Sequence, residues 1–333
     1  MRTHRIDSEA SMGAARRVRA LAGAVCLGGA GLLALHSSDA AAQNLFFSSN
    51  GFNGSQDALY TTDLDGLGLT NIMPSPMGIS GVAADGGQRL VFWKNHLGTY
   101  KNGNYTYEMH VADFSGGSHA VIASWSGSGN NYGVAVDRVN QHVYWTDAAG
   151  VQRSNYDGTG ATQVLASFNA EDAEIDPVAG KIFWVDSWGG PSVNIYAANL
   201  NGSGQQTLVT LPGNTVVSGL TVDPGAQTVF WSDYVAGSVS ALPYSGGTPT
   251  TILGGYPWVA GLEYEATTNR LYIVNKGSAS VAWMNPSGGP LTTVFTGSGQ
   301  TFGEMWDIAA VVPAPGSLAL LGCGSLIALR RRR

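Results

Sequence analysis

The stretch GVAVDRVNQHVYWTD, Gly133 to Asp147, decides the fold, because the rest of the chain keeps restating it. Its second half, Val143-Tyr144-Trp145-Thr146-Asp147, is an apolar-aromatic run closed by a small polar residue and an acid. Related runs end at Trp93-Lys94-Asn95, Trp184-Val185-Asp186 and Trp231-Ser232-Asp233, with weaker copies at Leu271 to Asn275 and Leu45 to Ser49. An acid stands eight residues before the anchor in five copies: Asp85 and Trp93, Asp137 and Trp145, Asp176 and Trp184, Asp223 and Trp231, Glu265 and Ile273. A lone first half, Gly303 to Asp307, closes the series near the far end of the chain.

Successive anchors, from Phe47 through Trp93, Trp145, Trp184 and Trp231 to Ile273, are 39 to 52 residues apart. That is the length of one four-stranded propeller blade. Val, Ile, Tyr, Phe, Trp and Thr fill the runs, while Gly, Asn, Asp and Ser fill the gaps, as strands and tight turns require. Turns recur at Asp65-Gly66, Gly116-Gly117, Asp157-Gly158, Asn201-Gly202, Gly246-Gly247 and Gly288-Gly289, where positive φ is needed. The first copy lacks its acid-bearing strand and the last acid-bearing strand lacks an anchor. Pairing Gly303 to Val312 with Leu45 to Ser49 therefore completes one blade from both chain ends. The expected fold is all-β: a six-bladed β-propeller of four-stranded blades over residues 43–312.

These motifs resemble the YWTD repeats, or class B repeats, of the low-density lipoprotein receptor family, which form six-bladed propellers. The resemblance covers Gln43 to Val312, with the full tetrapeptide only at Tyr144 to Asp147. It implies that Trp93, Trp145, Trp184 and Trp231 and the motif acids Asp147, Asp186 and Asp233 are structural.

Two segments flank the repeats. Residues 1–42 read as an export signal, with Arg16, Arg17 and Arg19 before the apolar run Ala20 to Leu35 and Ala40-Ala41-Ala42 as cleavage site. Residues 313–333 read as a sorting or anchor segment. Leu318 to Leu329 is apolar over 12 residues, short of the roughly 20 that span a bilayer, and Arg330 to Arg333 is a basic stop. This tail resembles the PEP-CTERM sorting tail of bacterial exosortase substrates, with Ala314 standing where the motif has Glu. The resemblance implies a sorting protease of exosortase type as a partner. The expected location is exported, at the cell surface or released, with membrane contact only through that tail.

Only 12% of residues are charged, against a typical value of about 25%. Residues 43–312 hold eight Lys and Arg against 20 Asp and Glu, so no basic patch exists to neutralise phosphates. A nucleic-acid partner is excluded. Cys26 and Cys323 both lie in the flanking segments, so the propeller has neither disulfide nor thiol. No nucleophile elbow, phosphate loop or dinucleotide fingerprint is present. His96, His110, His119 and His142 are expected on strand or turn surfaces. The periodic acids, with Asp307 counted as the sixth, are expected to end first strands and accept backbone N–H bonds of the following turn.

Acids that break the pattern point elsewhere. Glu171-Asp172-Ala173-Glu174 puts carboxylates where other blades have Gly and small residues, and Glu263 and Glu304 fall in or beside first-strand positions. First strands border the central channel. Asp172, Glu174, Glu263 and Glu304 are thus a candidate calcium set, the basis of an alternative reading as a calcium-dependent, lactonase-like hydrolase. The leading reading needs no cofactor and no catalytic residue. Loop length varies only on the face carrying the connections between strands two and three and between four and one, chiefly Asn95 to Thr106 and Trp125 to Tyr132. Aromatics collect there, and Trp125, Tyr132, Trp188, Tyr234, Tyr256 and Trp258 are the expected ligand-binding residues. The expected function is a non-enzymatic binding module for an extracellular protein or polysaccharide.

Overall fold

The computed structural model describes residues 43–50, 57–75, 78–101, 104–127, 131–167, 170–186, 191–297 and 304–311. The leader-like residues 1–42, the tail 313–333, Trp188 and the side chain of Glu304 lie outside the described residues.

Every described element is a strand. The chain opens with β1 (Asn44–Asn50), β2 (Asp57–Asp63) and β3 (Thr70–Ser75). Blade 1 follows as β4 (Ile79–Asp85), β5 (Leu90–Lys101), β6 (Asn104–Asp113) and β7 (Ala120–Gly127). Blade 2 is β8 (Val134–Asp137), β9 (His142–Asp147), β10 (Gly150–Asn155) and β11 (Thr162–Ala166). Blade 3 is β12 (Ala170–Asp176), β13 (Lys181–Asp186), β14 (Ser192–Asn199) and β15 (Gln206–Pro212). Blade 4 is β16 (Val217–Asp223), β17 (Thr228–Asp233), β18 (Ser238–Pro243) and β19 (Thr250–Leu253). Blade 5 is β20 (Val259–Glu265), β21 (Arg270–Asn275), β22 (Ser280–Met284) and β23 (Thr292–Thr296). The last strand, β24 (Glu304–Val311), pairs antiparallel with β1 and completes blade 6 in the order β24-β1-β2-β3. Six four-stranded antiparallel sheets form the expected propeller, closed by the two ends of the propeller segment.

The anchors sit in one register. Trp93 faces Val82, Trp145 faces Val134, Trp184 faces Ala173, Trp231 faces Leu220, Ile273 faces Leu262 and Phe47 faces Ile308. All six anchors are buried, each packing its blade's core. Five of the six inner strands end in an acid that caps the next turn, as expected. Asp85 accepts the N–H groups of Gly87 and Gln88, Asp137 those of Val139 and Asn140, and Asp176 those of Val178 and Ala179. Asp223 accepts that of Ala226, and Glu265 those of Thr267 and Thr268. Two of these acids also tie blades together: Tyr156 donates to Asp85 across 3.0 Å and Tyr244 to Asp176 across 3.2 Å. The motif acids cap the opposite turns. Asp147 takes the N–H groups of Ala149 and Gly150, Asp233 those of Val235 and Ala236, and Asp186 that of Asn194 with the Tyr196 hydroxyl.

The register corrects three expectations. Asp307 is not the sixth strand-ending acid, because Val311 pairs with Asn44 where Asp85 pairs with Leu90. Asp307 instead shares its place with Asp172 and with Gly81, Gly133, Gly219 and Gly261, one residue before each anchor's partner. Glycine is needed there because the next blade's inner strand passes close; a Cβ on Gly81 would lie 2.0 Å from the Tyr132 carbonyl. The stretch from Asn95 to Thr106 is no free loop but the continuation of the β5–β6 hairpin, with His96 opposite Tyr107 and Leu97 opposite Thr106. His110 is buried rather than superficial, stacked on Trp93 at 5.1 Å with its Nδ1 2.8 Å from His119 Nε2.

Candidate functional site

The first residues of the inner strands ring one end of the central channel, on the face with variable loops. Ser80, Tyr132, Glu171, Ser218, Ala260 and Trp306 occupy this place, two before each anchor's partner. Tyr132 of blade 2 and Trp306 of blade 6 are the two large members. Their rings stack at 5.0 Å and 18°, side by side across the mouth. Lys276, in the turn after β21, holds its Nζ 3.5 Å from the centre of the Trp306 ring and 5.7 Å from that of Tyr234. An ammonium over an aromatic face is attracted by the ring quadrupole. The Lys276 N–H donates to the carbonyl of Trp258, whose ring lies on Gly277. Trp258 is 52% exposed and held at φ 65°, a left-handed conformation that strains a bulky residue. Tyr132, Trp306, Lys276, Tyr234 and Trp258 thus form one aromatic-cationic platform.

The remaining expected ligand-binding residues separate from it. Trp125 lies in the outermost strand of blade 1, opposite Tyr107, and stacks between Tyr107 and the anchor Trp145 at 5.7 Å from each. It packs one blade on the next, which corrects its placement in a recognition loop. Tyr256 is half-buried against the blade 5 core with Val259 and Leu262. Trp306 and Lys276 were not among the expected residues. The only sequence signal is a tryptophan at a place where three of the other five blades carry Ser or Ala.

Beneath the platform lies Lys94, fully buried at the position where the repeat has Thr146, Val185 or Ser232. Its Nζ donates to the carbonyls of Asn131 and Thr146, and burial pushes its pKa down to about 7 against the pull of Asp147 and Asp172. Thr146 and Ser232 use their hydroxyls for a similar bridge to the next inner strand.

From the other face a funnel of about 360 Å³ enters the channel. Its rim is Arg138, Val139, Pro177, Val178 and Pro224, from turns joining first and second strands. Deeper lie Glu174, Thr221, Glu263 and Tyr264, and at the floor Asp172 and Asp307. The expected channel acids Asp172, Glu174 and Glu263 therefore do gather. Asp172 and Asp307 are staples: each accepts the N–H of the next blade's inner strand, from Leu220 at 2.7 Å and Val82 at 2.8 Å. Burial raises the pKa of Glu263 to about 8 and that of Asp172 to about 7; burial and the neighbouring Asp172 raise Glu171 to about 8. Glu174 is raised well above its ordinary value by burial and Glu263, and Asp307 by burial and Asp172. Among the described residues no three of His, Cys, Asp and Glu converge as a metal would require, and no His lines the funnel.

No known protein-family profile matches the chain. Among curated proteins it is similar to Protein cueball of Drosophila grimshawi, 29% identical over 135 residues, covering 37% of this chain and 21% of that protein. Protein cueball of Drosophila willistoni is 27% identical over 168 residues, covering 48% of this chain and 25% of that protein. The chain thus spans about a quarter of the length of these relatives. Among solved structures it resembles a chain of a nidogen/laminin complex, with TM-score 0.67, 18% identity, and 81% of this chain and 99% of that one covered. It also resembles TolB from Acinetobacter baumannii, with TM-score 0.63, 13% identity, and 80% of this chain and 66% of that one covered. Both likenesses are of fold.

Proposed function

We propose that the propeller is a non-enzymatic binding module that takes an extracellular protein on its variable face. The observation that carries this reading is Trp258: a large ring left half in solvent, on strained backbone, beside the Tyr132–Trp306–Lys276 stack. Strain of this kind is retained where a surface must be shaped for use. Flat aromatic area flanked by a cation is what protein partners bury most productively. The nidogen chain of the same fold is seen with laminin, which makes a protein the first partner class to try. A polysaccharide is the other outcome. Residues 1–42, read as an export signal, and residues 313–333, read as a sorting tail for an exosortase-type protease, support a partner outside the cell.

Crosslinking on intact producing cells with the full chain tests this. Capture of one protein should be lost in Trp258→Ala, with the melting temperature within a few degrees of wild type. Capture that survives Trp258→Ala and Trp306→Ala together would overturn the reading.

The calcium-dependent hydrolase remains as a second reading because Asp172, Glu174 and Glu263 share one cavity. Calcium-dependent turnover of a lactone, lost in Glu174→Gln, would favour it over the binding module.

A further inference from the structure

The funnel on the constant face is a different site from the platform, and its chemistry differs too. Six carboxyl groups line it, Asp172, Glu174, Asp176, Glu263, Glu265 and Asp307, against one cation, Arg138. Among the described residues the ion pairs within 4 Å are His110 with Glu108 and Arg270 with Asp65, so no channel carboxyl is paired. Asp172 and Asp307 are committed to backbone N–H groups of neighbouring blades. Glu174 is no such staple, while Glu263 also takes a backbone bond, from Ala310 of β24. Both glutamates occupy the place held by Ala83, Ala135, Thr221 and Ala309 in the other blades, where a small residue suffices for packing. Glu174 Oε1 accepts the N–H of Ile175, and its Oε2 has no hydrogen-bond partner among the described residues. The walls above are aliphatic, with Val139 and Val178 exposed at the rim, the latter 87%. Glu174 stands two residues before the end of β12, whose following turn carries Val178.

We propose that this funnel binds a slender aliphatic ammonium group, its alkyl stem along Val139, Pro177, Val178 and Pro224 and its head between Glu174 and Glu263. A bare metal ion is the poorer fit, because no three ligands converge among the described residues. An anion is excluded by six carboxyls against one arginine. An ammonium on an alkyl stem matches both zones, since such chains lie along apolar surface while the charged end seeks its partners. The group is either a free amine or the lysine of an extended peptide.

Binding is proton-linked. In the empty funnel the neutral forms are favoured: burial and then Glu263 raise Glu174 well above its ordinary value, and burial, with Asp307 adding to it, raises Glu263 to about 8. The groups facing them are Asp172 on their own layer, Arg138 at the rim, Asp307 on β24, Glu265 at the end of β20 and the Tyr244 hydroxyl. An arriving ammonium favours the carboxylates, so a proton leaves as the cation enters. Affinity then rises with pH until the amine itself deprotonates near about pH 10.

Calorimetry on the full chain tests this with cadaverine, Nα-acetyl-lysine methylamide and, as uncharged control, 1-pentanol. Cadaverine should bind about tenfold more tightly near pH 8.5 than near pH 6, with proton release read from buffers of different ionisation enthalpy. Glu174→Gln with Glu263→Gln should remove both the binding and the proton release, while Trp258→Ala leaves them unchanged. The acetyl-lysine arm binding as well as cadaverine identifies a peptide source, and cadaverine alone a free amine. No heat at millimolar amine, binding independent of pH in the wild type, or equal binding of 1-pentanol would each overturn the proposal.

Discussion

Single residues divide here into those that keep the repeat and those that break it. Trp145 and Asp137 keep it, and their roles as anchor and turn cap follow from position alone. Glu174 breaks it, and the break marked a channel residue before any coordinates were known. Trp125 and Asp307 were misjudged for one reason: the repeat fixes a residue's place only when its strand partner is known. Trp125 reads as loop until Tyr107 is seen opposite it, and Asp307 reads as a turn acid until β24 is registered on β1. The channel acids also set a pH dependence. A carboxyl whose pKa is raised by folding stabilises the fold fully below its unfolded value, and that contribution is lost as pH rises through the folded value. Glu171 and Glu263 titrate near 8 and Asp172 near 7, with Glu174 and Asp307 also raised. Lys94, lowered to about 7, acts in the opposite sense but is one group against five. The melting temperature should therefore fall as pH rises from about 4.5 to about 8. Thermal melts across that window check this, and the Glu174→Gln, Glu263→Gln pair should flatten the slope.

At the scale of the strand and blade, neighbours are held by apolar clusters that span two blades and by side chains bonded to the next blade's backbone. Asp172 reaches Leu220, Asp307 reaches Val82, and the Thr221 hydroxyl accepts the Tyr264 N–H. On the outer rim of the constant face, Tyr156 and Tyr244 donate to turn acids of the preceding blade. Those tyrosines follow the third strands, where other blades have Phe114 or Leu200, so the sequence shows the position but not the acceptor. Removing one hydroxyl loses a hydrogen bond to a carboxylate that keeps its turn contacts. Tyr156→Phe should cost about 1–2 kcal/mol, read from urea melts, and should add nothing further in an Asp85→Asn background. Full additivity of the two substitutions would mean that the blades are not coupled there. The platform was only partly legible at this scale. Tyr132, Tyr234 and Trp258 stood out as loop aromatics, but Lys276 and Trp306 meet only because blade 5 turns into blade 6.

The whole ring is one unit because its ends share a blade. β24 supplies the inner strand of blade 6, and its residues Met305, Ile308 and Ala310 pack with Leu45, Phe47, Tyr272 and Val274 across blades 5 and 6. Its Asp307 also staples blade 1 through Val82. Pairing with β1 is therefore the contact that converts a row of six sheets into a circle without open edges. Closure was legible in the sequence from arithmetic alone, since one half-repeat at each end made a whole. Deleting Glu304 to Val311 exposes the edge of β1, opens the apolar faces of blades 5 and 1, and leaves Asn44 to Ser49 paired on the β2 side alone. The closed ring should melt in a single transition, with calorimetric and van't Hoff enthalpies equal. The deleted chain should lose that equality, with a broad transition and a van't Hoff enthalpy well below the calorimetric one. A deletion variant that melts as sharply as the intact chain would show that the remaining sheets cooperate without the closing strand, and the ring would not be the folding unit.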